Sequence, residues 1–128
     1  MAISYVAQAV HSTSPTADTT IPLPTATPMA VNDLIIIAAS VADTANNALA
    51  APTETGYTDV VGATVYSDDV NDVNLNVFYK YWNVTDTTAT FGDVGGSNAS
   101  NVAVCMVFRG VATVAQGGPF TTAATTAN

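Results

Sequence analysis

Residues 73–82 have the sequence VNLNVFYKYW, in which two kinds of side chain alternate at every second position. One set is aliphatic or tyrosine: Val73, Leu75, Val77, Tyr79 and Tyr81. The other set mixes amides, a cation and two aromatic rings: Asn74, Asn76, Phe78, Lys80 and Trp82. Because successive side chains of a β-strand point to opposite faces, this period of two predicts a strand with two chemically different faces.

The same alternation recurs along the chain. Further strands are predicted at residues 3–10, 19–23, 34–41, 57–66, 87–91 and 102–108. In the first of them, we expect a single face to hold Ile3, Tyr5, Ala7 and Ala9. Residues 34–41 are apolar on both sides, as in a central strand covered on each face. Prolines around residues 19–23 restrict that segment to an edge, because proline lacks the amide donor of a sheet.

Turn-rich segments separate the predicted strands about every ten residues, for example SDDVND at residues 67–72. This spacing is typical of an all-β, antiparallel β-sandwich of about seven or eight short strands, either immunoglobulin-like or jelly-roll. We expect the sandwich to span residues 1–118. Residues 119–128, PFTTAATTAN, form a low-complexity tail that could contact a partner.

The charge composition argues against several classes of protein. Of the 128 residues, 48% are hydrophobic and 9% are charged, and the formal net charge is −8. Lys80 is the only lysine and Arg109 the only arginine. Two cations cannot neutralise a run of phosphates, so we expect no nucleic-acid partner and no recruitment to anionic membranes. The high apolar share argues against disorder, and the single Cys105 excludes an intrachain disulfide framework.

The sequence shows no targeting segment. Residues 1–15, MAISYVAQAVHSTSP, have neither a positively charged start nor an uninterrupted apolar run. The longest apolar stretch, residues 34–39, is far shorter than the roughly 20 residues that a membrane helix needs. We therefore expect a protein that is made in the cytoplasm and remains or assembles there.

An acidic loop is the one predicted metal candidate. Asp68, Asp69, Asn71 and Asp72 supply the hard oxygen ligands that calcium prefers. Their order departs from the EF-hand pattern, however, and no bidentate glutamate follows. A solvated acidic turn is the favoured interpretation, calcium is the alternative, and no cofactor is expected.

Lys80 and Arg109 allow two interpretations. Lys80 could form an isopeptide bond with an asparagine, as in some adhesin sandwiches, but such a bond needs a buried acid and Glu54 is the only glutamate. The favoured interpretation is that both cations pair with nearby aspartates and tie strand ends to loops. A carboxylate partner is the usual way in which a partly buried cation is tolerated.

No set of catalytic residues is found in the sequence. Cys105 lies in a strand with apolar neighbours, where a thiol packs as a small hydrophobe rather than reacting. His11 lies among serine and threonine residues, without a nucleophile motif such as G-x-S-x-G. We therefore expect the chain not to be an enzyme.

The aromatic residues of the 73–82 segment have two interpretations. Rings lying flat on one exposed face would stack on sugars, as in a carbohydrate-binding module. The alternation instead sends Tyr79 and Tyr81 to one face, and Phe78 and Trp82 to the other. A sandwich core explains this distribution at least as well.

Short motifs in the middle of the chain follow one another in a recognisable order. NDLIII at residues 32–37 resembles a Gly-Asp-Leu-Leu strand start. Pro52 followed by GYT at residues 56–58 resembles Pro…Gly-Trp-Thr, and VFYK at residues 77–80 resembles Val-Tyr-Tyr-Lys. Asn32 stands where that pattern has glycine.

The series continues with VFRGV at residues 107–111, which resembles Tyr-Arg-Gly-Val, and with its usual follower at Pro119 and Phe120. Tyr57 and Phe108 depart from the tryptophan and tyrosine of the pattern. In this order, over roughly residues 30–120, the motifs resemble β-sandwich domains of bacteriophage virion proteins, especially those of marine and cyanobacterial phages.

The resemblance implies a component of the virion surface. A small free-standing domain of this kind is similar to a capsid decoration, or cement, protein that binds the major capsid protein of the assembled capsid and stabilises it. A homo-oligomer, trimer or dimer, is expected. The alternative is a receptor- or glycan-binding module of a tail fibre or adhesin.

Two segments are the predicted partner contacts, because both contain apolar residues and are poorly placed for a core. Their residues are Ile21, Pro22, Leu23, Pro24, Pro28, Met29, Pro119 and Phe120.

Overall fold

The structure is a computed structural model, and it describes residues 2–13, 19–24, 29–43, 51–60, 65–66, 72–91 and 100–113. Within these ranges the chain forms eight β-strands, and no helix there could cross a membrane. The strands are β1 (Ser4–Thr13), β2 (Thr19–Pro22), β3 (Leu34–Asp43), β4 (Thr58–Asp59), β5 (Val65–Tyr66), β6 (Asp72–Tyr81), β7 (Thr88–Phe91) and β8 (Ser100–Arg109).

The strands pair antiparallel in two sheets. The larger sheet has the order β1-β8-β3-β6-β4, with β5 also paired to β6, and the smaller sheet consists of β2 and β7. The first strand thus pairs with the eighth, the second with the seventh and the third with the sixth. This nested order is typical of a jelly roll, whereas an immunoglobulin domain pairs its first strand with its second. The predicted antiparallel β-sandwich is confirmed.

The predicted strands lie within three residues of the observed ones, with one exception. Residues 57–66 are predicted as a single strand. In the structure this stretch contributes β4 and β5, each two residues long and each paired to β6. The alternation there marks two short contacts with one neighbour rather than a continuous ladder.

The hydrophobic core lies between the two sheets. The larger sheet contributes buried residues at alternate positions of its strands: Ile35, Ile37, Ala39, Phe78, Ala103, Cys105 and Val107. The β2 strand and the residue that follows it contribute Ile21 and Leu23, and β7 contributes Ala89. Full burial of a large aliphatic side chain contributes about 1.5–3 kcal/mol relative to exposure, so this layer accounts for much of the stability of the sandwich.

The prediction that residues 21–29 are poorly placed for a core is wrong for Ile21 and Leu23. Ile21 is fully buried and Leu23 nearly so, because β2 lies over the larger sheet and turns these side chains inward. Pro22 lies between them and is exposed at the end of the strand. The other predicted contacts are either half-buried (Pro24 and Met29) or outside the described residues (Pro28, Pro119 and Phe120).

A β-bulge in β1 changes the predicted face of its first residues. The register against β8 shifts between Tyr5 and Ala7. Ala7 faces the core, whereas Tyr5 is 57% exposed and packs against Phe108 on the other side of the sheet. An extra residue in a strand inverts the alternation, so the prediction that Ile3 and Tyr5 share a face with Ala7 and Ala9 is wrong.

Candidate functional site

The side of the larger sheet that faces away from the smaller sheet forms a broad apolar surface, the outer face. From β1 and β8 it contains Tyr5, Gln8, Val10, Val102, Val104, Met106 and Phe108. From β3 and β6 it contains Leu34, Ile36, Ala38, Ser40, Leu75, Val77, Tyr79 and Tyr81. None of these residues is charged, and the only ones that are neither apolar nor aromatic are Gln8 and Ser40.

The described residues leave the rim of the outer face open to solvent. Val10 is 63% exposed and Val102 is 48% exposed. Toward the middle of the sheet the side chains are half-buried by their neighbours, and Leu34, flanked in register by Tyr81 and Phe108, is buried. Large exposed apolar areas on a soluble protein mark surfaces that bind a partner.

Side-chain size decreases along the outer face from one end to the other. The register aligns four residues at the large end: Tyr81, Leu34, Phe108 and Tyr5. At the opposite end it aligns smaller ones: Leu75, Ser40 and Val102. The surface therefore has a bulky aromatic end and a shallow aliphatic end.

Edge-to-face ring pairs order the aromatic end. The Tyr5 and Phe108 ring centroids are 6.1 Å apart with an interplanar angle of 73°, and those of Tyr79 and Tyr81 are 6.5 Å apart at 87°. Such geometry is favoured by the ring quadrupoles. The Tyr81 hydroxyl also donates to the Ala112 carbonyl, which ties the segment after β8 to this end of the sheet.

Arg109 and Asp33 form a two-bond ion pair next to the aromatic end. Arg109 Nε donates to Asp33 Oδ1 at 2.8 Å, and its terminal nitrogen donates to Oδ2 at 2.7 Å. The Ala30 amide also donates to this carboxylate. Burial alone would raise the pKa of Asp33, but the bonds from Arg109 and Ala30 outweigh burial and hold the pKa below its usual 3.8. The hydrogen bonds to Asp33 also raise the pKa of Arg109.

Lys80 is the second paired cation, and it lies on the inner side of β6. It is 5% exposed, and Nζ donates to the Asp86 carboxylate and to the Thr55 carbonyl. The ammonium also lies 5.2 Å from the centroid of the Tyr57 ring, within the range of a cation–π contact. The prediction that each cation pairs with an aspartate and joins a strand to a loop is confirmed for Lys80 and for Arg109.

Glu54 and Tyr57 lie in the loop that also supplies the Thr55 carbonyl to Lys80. The Glu54 carboxylate accepts the Thr90 amide at 2.8 Å, which fixes the Glu54 loop to β7. The Tyr57 hydroxyl is buried and, among the described residues, has no hydrogen-bond partner. Burial, followed by the neighbouring charges, raises the pKa of Tyr57 above its usual value, so its hydroxyl stays protonated.

The residues considered for chemistry are separated in the structure. Cys105 is buried in the core, and burial raises the pKa of its thiol to about 12. His11 lies in β1 opposite Ala103 in the register. Asp72 begins β6, while Asp68, Asp69 and Asn71 lie outside the described residues. In the part of the chain that the structure describes, no three acidic, histidine or cysteine side chains come together as metal ligands.

The aromatic residues of β6 divide between the faces as predicted. Phe78 is fully buried in the core, and Tyr79 and Tyr81 are half-buried on the outer face. Trp82 packs against the core, and its Nε1 donates to the Asp86 carbonyl at 3.0 Å. These rings do not form one flat platform.

A cleft of about 550 Å³ opens beside the aromatic end, lined by residues 30–33 and 109–113. The Asp33–Arg109 pair forms part of its lining. Because these two charged groups bind each other, the pair does not offer a separate charged group for binding a ligand in the cleft. The outer face is therefore the feature with the clearest functional meaning.

The alternation of side chains in the sequence predicts a two-faced sheet, but it does not predict which face is exposed to solvent. The alternation in residues 73–82 and 102–108 separates the two faces, but both faces carry apolar residues. Comparison with known proteins adds no relative, because no family model, no curated protein and no solved structure matches the chain.

Proposed function

We propose that this chain is a structural protein of a phage virion surface, which binds the outside of the assembled capsid and stabilises it. The observation that carries the proposal is the outer face, an uncharged apolar surface on a small sandwich. A soluble protein with such a surface functions with that surface covered, as part of an assembly. The order of motifs that resembles phage virion sandwiches supports this kind of assembly.

The state of the ionisable groups supports a structural role rather than a catalytic one. Lys80 and Arg109 are bound to Asp86 and Asp33, and Cys105 is buried as a neutral thiol. A catalytic site needs an ionisable group that is accessible to substrate and whose pKa is matched to its task. In the described residues the two ion pairs instead hold loops to strands, and Cys105 packs in the core.

The mechanism of stabilisation would be linkage. A protein that binds the assembled lattice but not its dissociated subunits shifts the equilibrium toward the lattice. Many copies, each contributing a modest interaction, add up across the particle through multivalency. A net charge of −8 keeps the unassembled protein soluble despite its apolar face.

The test uses particles of a phage that encodes this chain, prepared with and without its gene. We expect the protein to co-purify with intact particles in a fixed copy ratio. We also expect particles without it to lose their contents at a lower temperature and under milder osmotic shock. Adding back the purified chain should restore resistance, and particles that are equally resistant without it would refute the proposal.

The competing prediction is a glycan-binding module. The rings of β6 are split between two faces, and Tyr79 and Tyr81 are nearly perpendicular, so no flat stacking platform is formed. This geometry favours the structural role. Trp82 is the only tryptophan, and a saturable, sugar-dependent change in its fluorescence on a glycan panel would favour the alternative instead.

A further inference from the structure

We propose that the outer face is a homotypic interface that packs against the outer face of a second copy of this chain. The two sheets would stack around a two-fold axis that lies in the interface and runs across the strands. This inference does not depend on capsid binding, because it concerns what covers the surface in solution. It identifies the first assembly step as a dimer.

The composition of the outer face matches that of a homodimer interface. Interfaces between separately stable partners are about as polar as the rest of a protein surface, whereas homodimer interfaces are more apolar and depleted in charge. Among the described side chains of this face, those that are neither apolar nor aromatic are Gln8, Ser40 and, next to Tyr79 in the register, Thr58, and none is charged. The hydrogen-bonding groups of the surface are few, namely the tyrosine hydroxyls, Gln8, Ser40 and Thr58, and a second copy offers the same uncharged surface.

The size gradient makes the outer face complementary to itself. A two-fold axis across the strands reverses their direction, so the aromatic end of one copy lies over the aliphatic end of the other. Each strand then lies over its own copy, so Tyr81 and Phe108 would project toward Leu75 and Val102 at the shallow end. Sheets packed face to face interdigitate in this way in the cores of sandwiches.

The geometry of the sheet gives a minimum for the area that the outer face can bury. Four strands spaced about 4.8 Å apart, and six steps of about 3.4 Å along each, give a footprint of about 400 Å². Protruding side chains make the accessible area larger than this footprint, and Ile3, which is 65% exposed, extends it at the aromatic end. Stable dimers bury about 800 Å² per partner, and most crystal contacts bury less than about 400 Å².

The electrostatics predict how the dimer responds to salt. Each copy carries a formal charge of −8, so two copies repel at long range, but no charge has to be desolvated at the interface itself. Screening shortens the range of that repulsion from about 30 Å at 0.01 M to about 3 Å at 1 M. Raising the salt concentration should therefore tighten the dimer, whereas it would weaken an interface held by ion pairs.

The experiment measures the mass of the purified full-length chain in solution by sedimentation and light scattering, over about 1–100 µM. The test variants are Val102→Glu and Tyr5→Ser, which alter exposed residues at opposite ends of the outer face. Val84→Glu is the matched control, because Val84 is 56% exposed and lies in the β6–β7 loop. Thermal unfolding midpoints verify that each variant folds.

We expect a dimer for the wild type and for Val84→Glu. Each face variant should raise the dissociation constant at least tenfold, which corresponds to about 1.4 kcal/mol. A wild-type chain that stays monomeric would overturn the inference, as would a dimer that the face variants leave intact or a trimer. A monomer that still binds and stabilises particles would overturn the dimer but leave the proposed function in place. A dimer that does not bind particles would support the dimer and refute the proposed function.

Discussion

The Arg109 guanidinium meets the Asp33 carboxylate with two hydrogen bonds of 2.8 and 2.7 Å, joining the end of β8 to the turn that begins β3. Asp33 is almost completely buried, while Arg109 remains about half exposed. The Asp33 backbone adds to this junction, because its carbonyl accepts the Trp82 amide at 2.8 Å. One residue thus connects three neighbouring strands at the end of the sheet.

Arg109→Leu should destabilise the protein more than Asp33→Asn does. Removal of the guanidinium leaves a buried carboxylate with a single backbone donor from Ala30, and the cost of an uncompensated buried charge exceeds that of losing the pair. Because Arg109 is half exposed, the expected loss is smaller than the roughly 3–5 kcal/mol of fully buried pairs. Urea denaturation of both variants measures the difference, and equal losses would contradict the prediction.

The same pair predicts an acid-dependent loss of stability. The pKa of Asp33 is lower in the folded state than in the unfolded chain, so the unfolded chain binds more protons at this residue. The free energy of unfolding therefore decreases as the pH is lowered. The contribution is complete above the unfolded pKa of about 3.9 and is lost as the pH falls through the folded pKa. Asp33→Asn removes one titrating group and leaves the other carboxylates unchanged. The stability gap between wild type and Asp33→Asn should therefore narrow as the pH falls below about 4, and a constant gap would count against this role.

Local alternation predicted the strands, but it could not predict which face of each strand would be buried. In β6 the set that contains Asn76, Phe78 and Lys80 lies inside, and the more apolar set with Val77 and Tyr79 lies outside. Burial there is decided by the position of β2 and β7 over the sheet, which is a non-local effect. Lys80 is tolerated inside only because the distant Thr55 carbonyl and Asp86 reach it.

Two further local features explain the remaining differences. The bulge in β1 adds one residue between Tyr5 and Ala7, and no glycine or proline marks it in the sequence. Pro22 and its neighbouring prolines suggested a segment outside the core. Proline restricts pairing on its own edge of a strand, however, and does not prevent Ile21 and Leu23 from turning inward.

Lys80→Met should destabilise the protein and perturb Trp82. The substitution leaves the Asp86 carboxylate largely buried and without its cation, at an expected cost of about 3 kcal/mol. Trp82 Nε1 donates to the Asp86 carbonyl, so movement of this loop should shift tryptophan emission to the red. The double variant Lys80→Met/Asp86→Leu removes both charges and should recover part of the loss; a double variant no more stable than Lys80→Met would contradict the ion-pair account.

Gly110→Ala should destabilise the protein, whereas Val84→Gly should stabilise it. Gly110 has φ 80°, and an added Cβ would lie 2.6 Å from the Ala2 carbonyl oxygen, so Gly110→Ala should cost about 2 kcal/mol or more. Val84 has φ 68°, where a β-branched residue is strained by about 1–2 kcal/mol. Val84→Gly relieves that strain and adds about 0.5–1 kcal/mol of chain entropy cost, leaving a net gain of roughly 0.5 kcal/mol. Thermal midpoints that move in the same direction for both variants would contradict these backbone assignments.

Cys105 should report opening of the sandwich through its labelling rate. It is the only cysteine, it is buried between the sheets, and burial raises the pKa of its thiol to about 12. Alkylation needs the thiolate, so at pH 8 the native protein should react only through molecules that have opened. For a stability of at least about 5 kcal/mol, labelling of the native protein should be more than a thousandfold slower than labelling in urea.

The Arg109→Leu variant should be labelled faster than the wild type under native conditions. The rate should rise tenfold for each 1.4 kcal/mol of stability that the variant loses. Labelling of the native wild type as fast as that of the unfolded chain would show instead that the thiol is accessible and that the two sheets do not close over it.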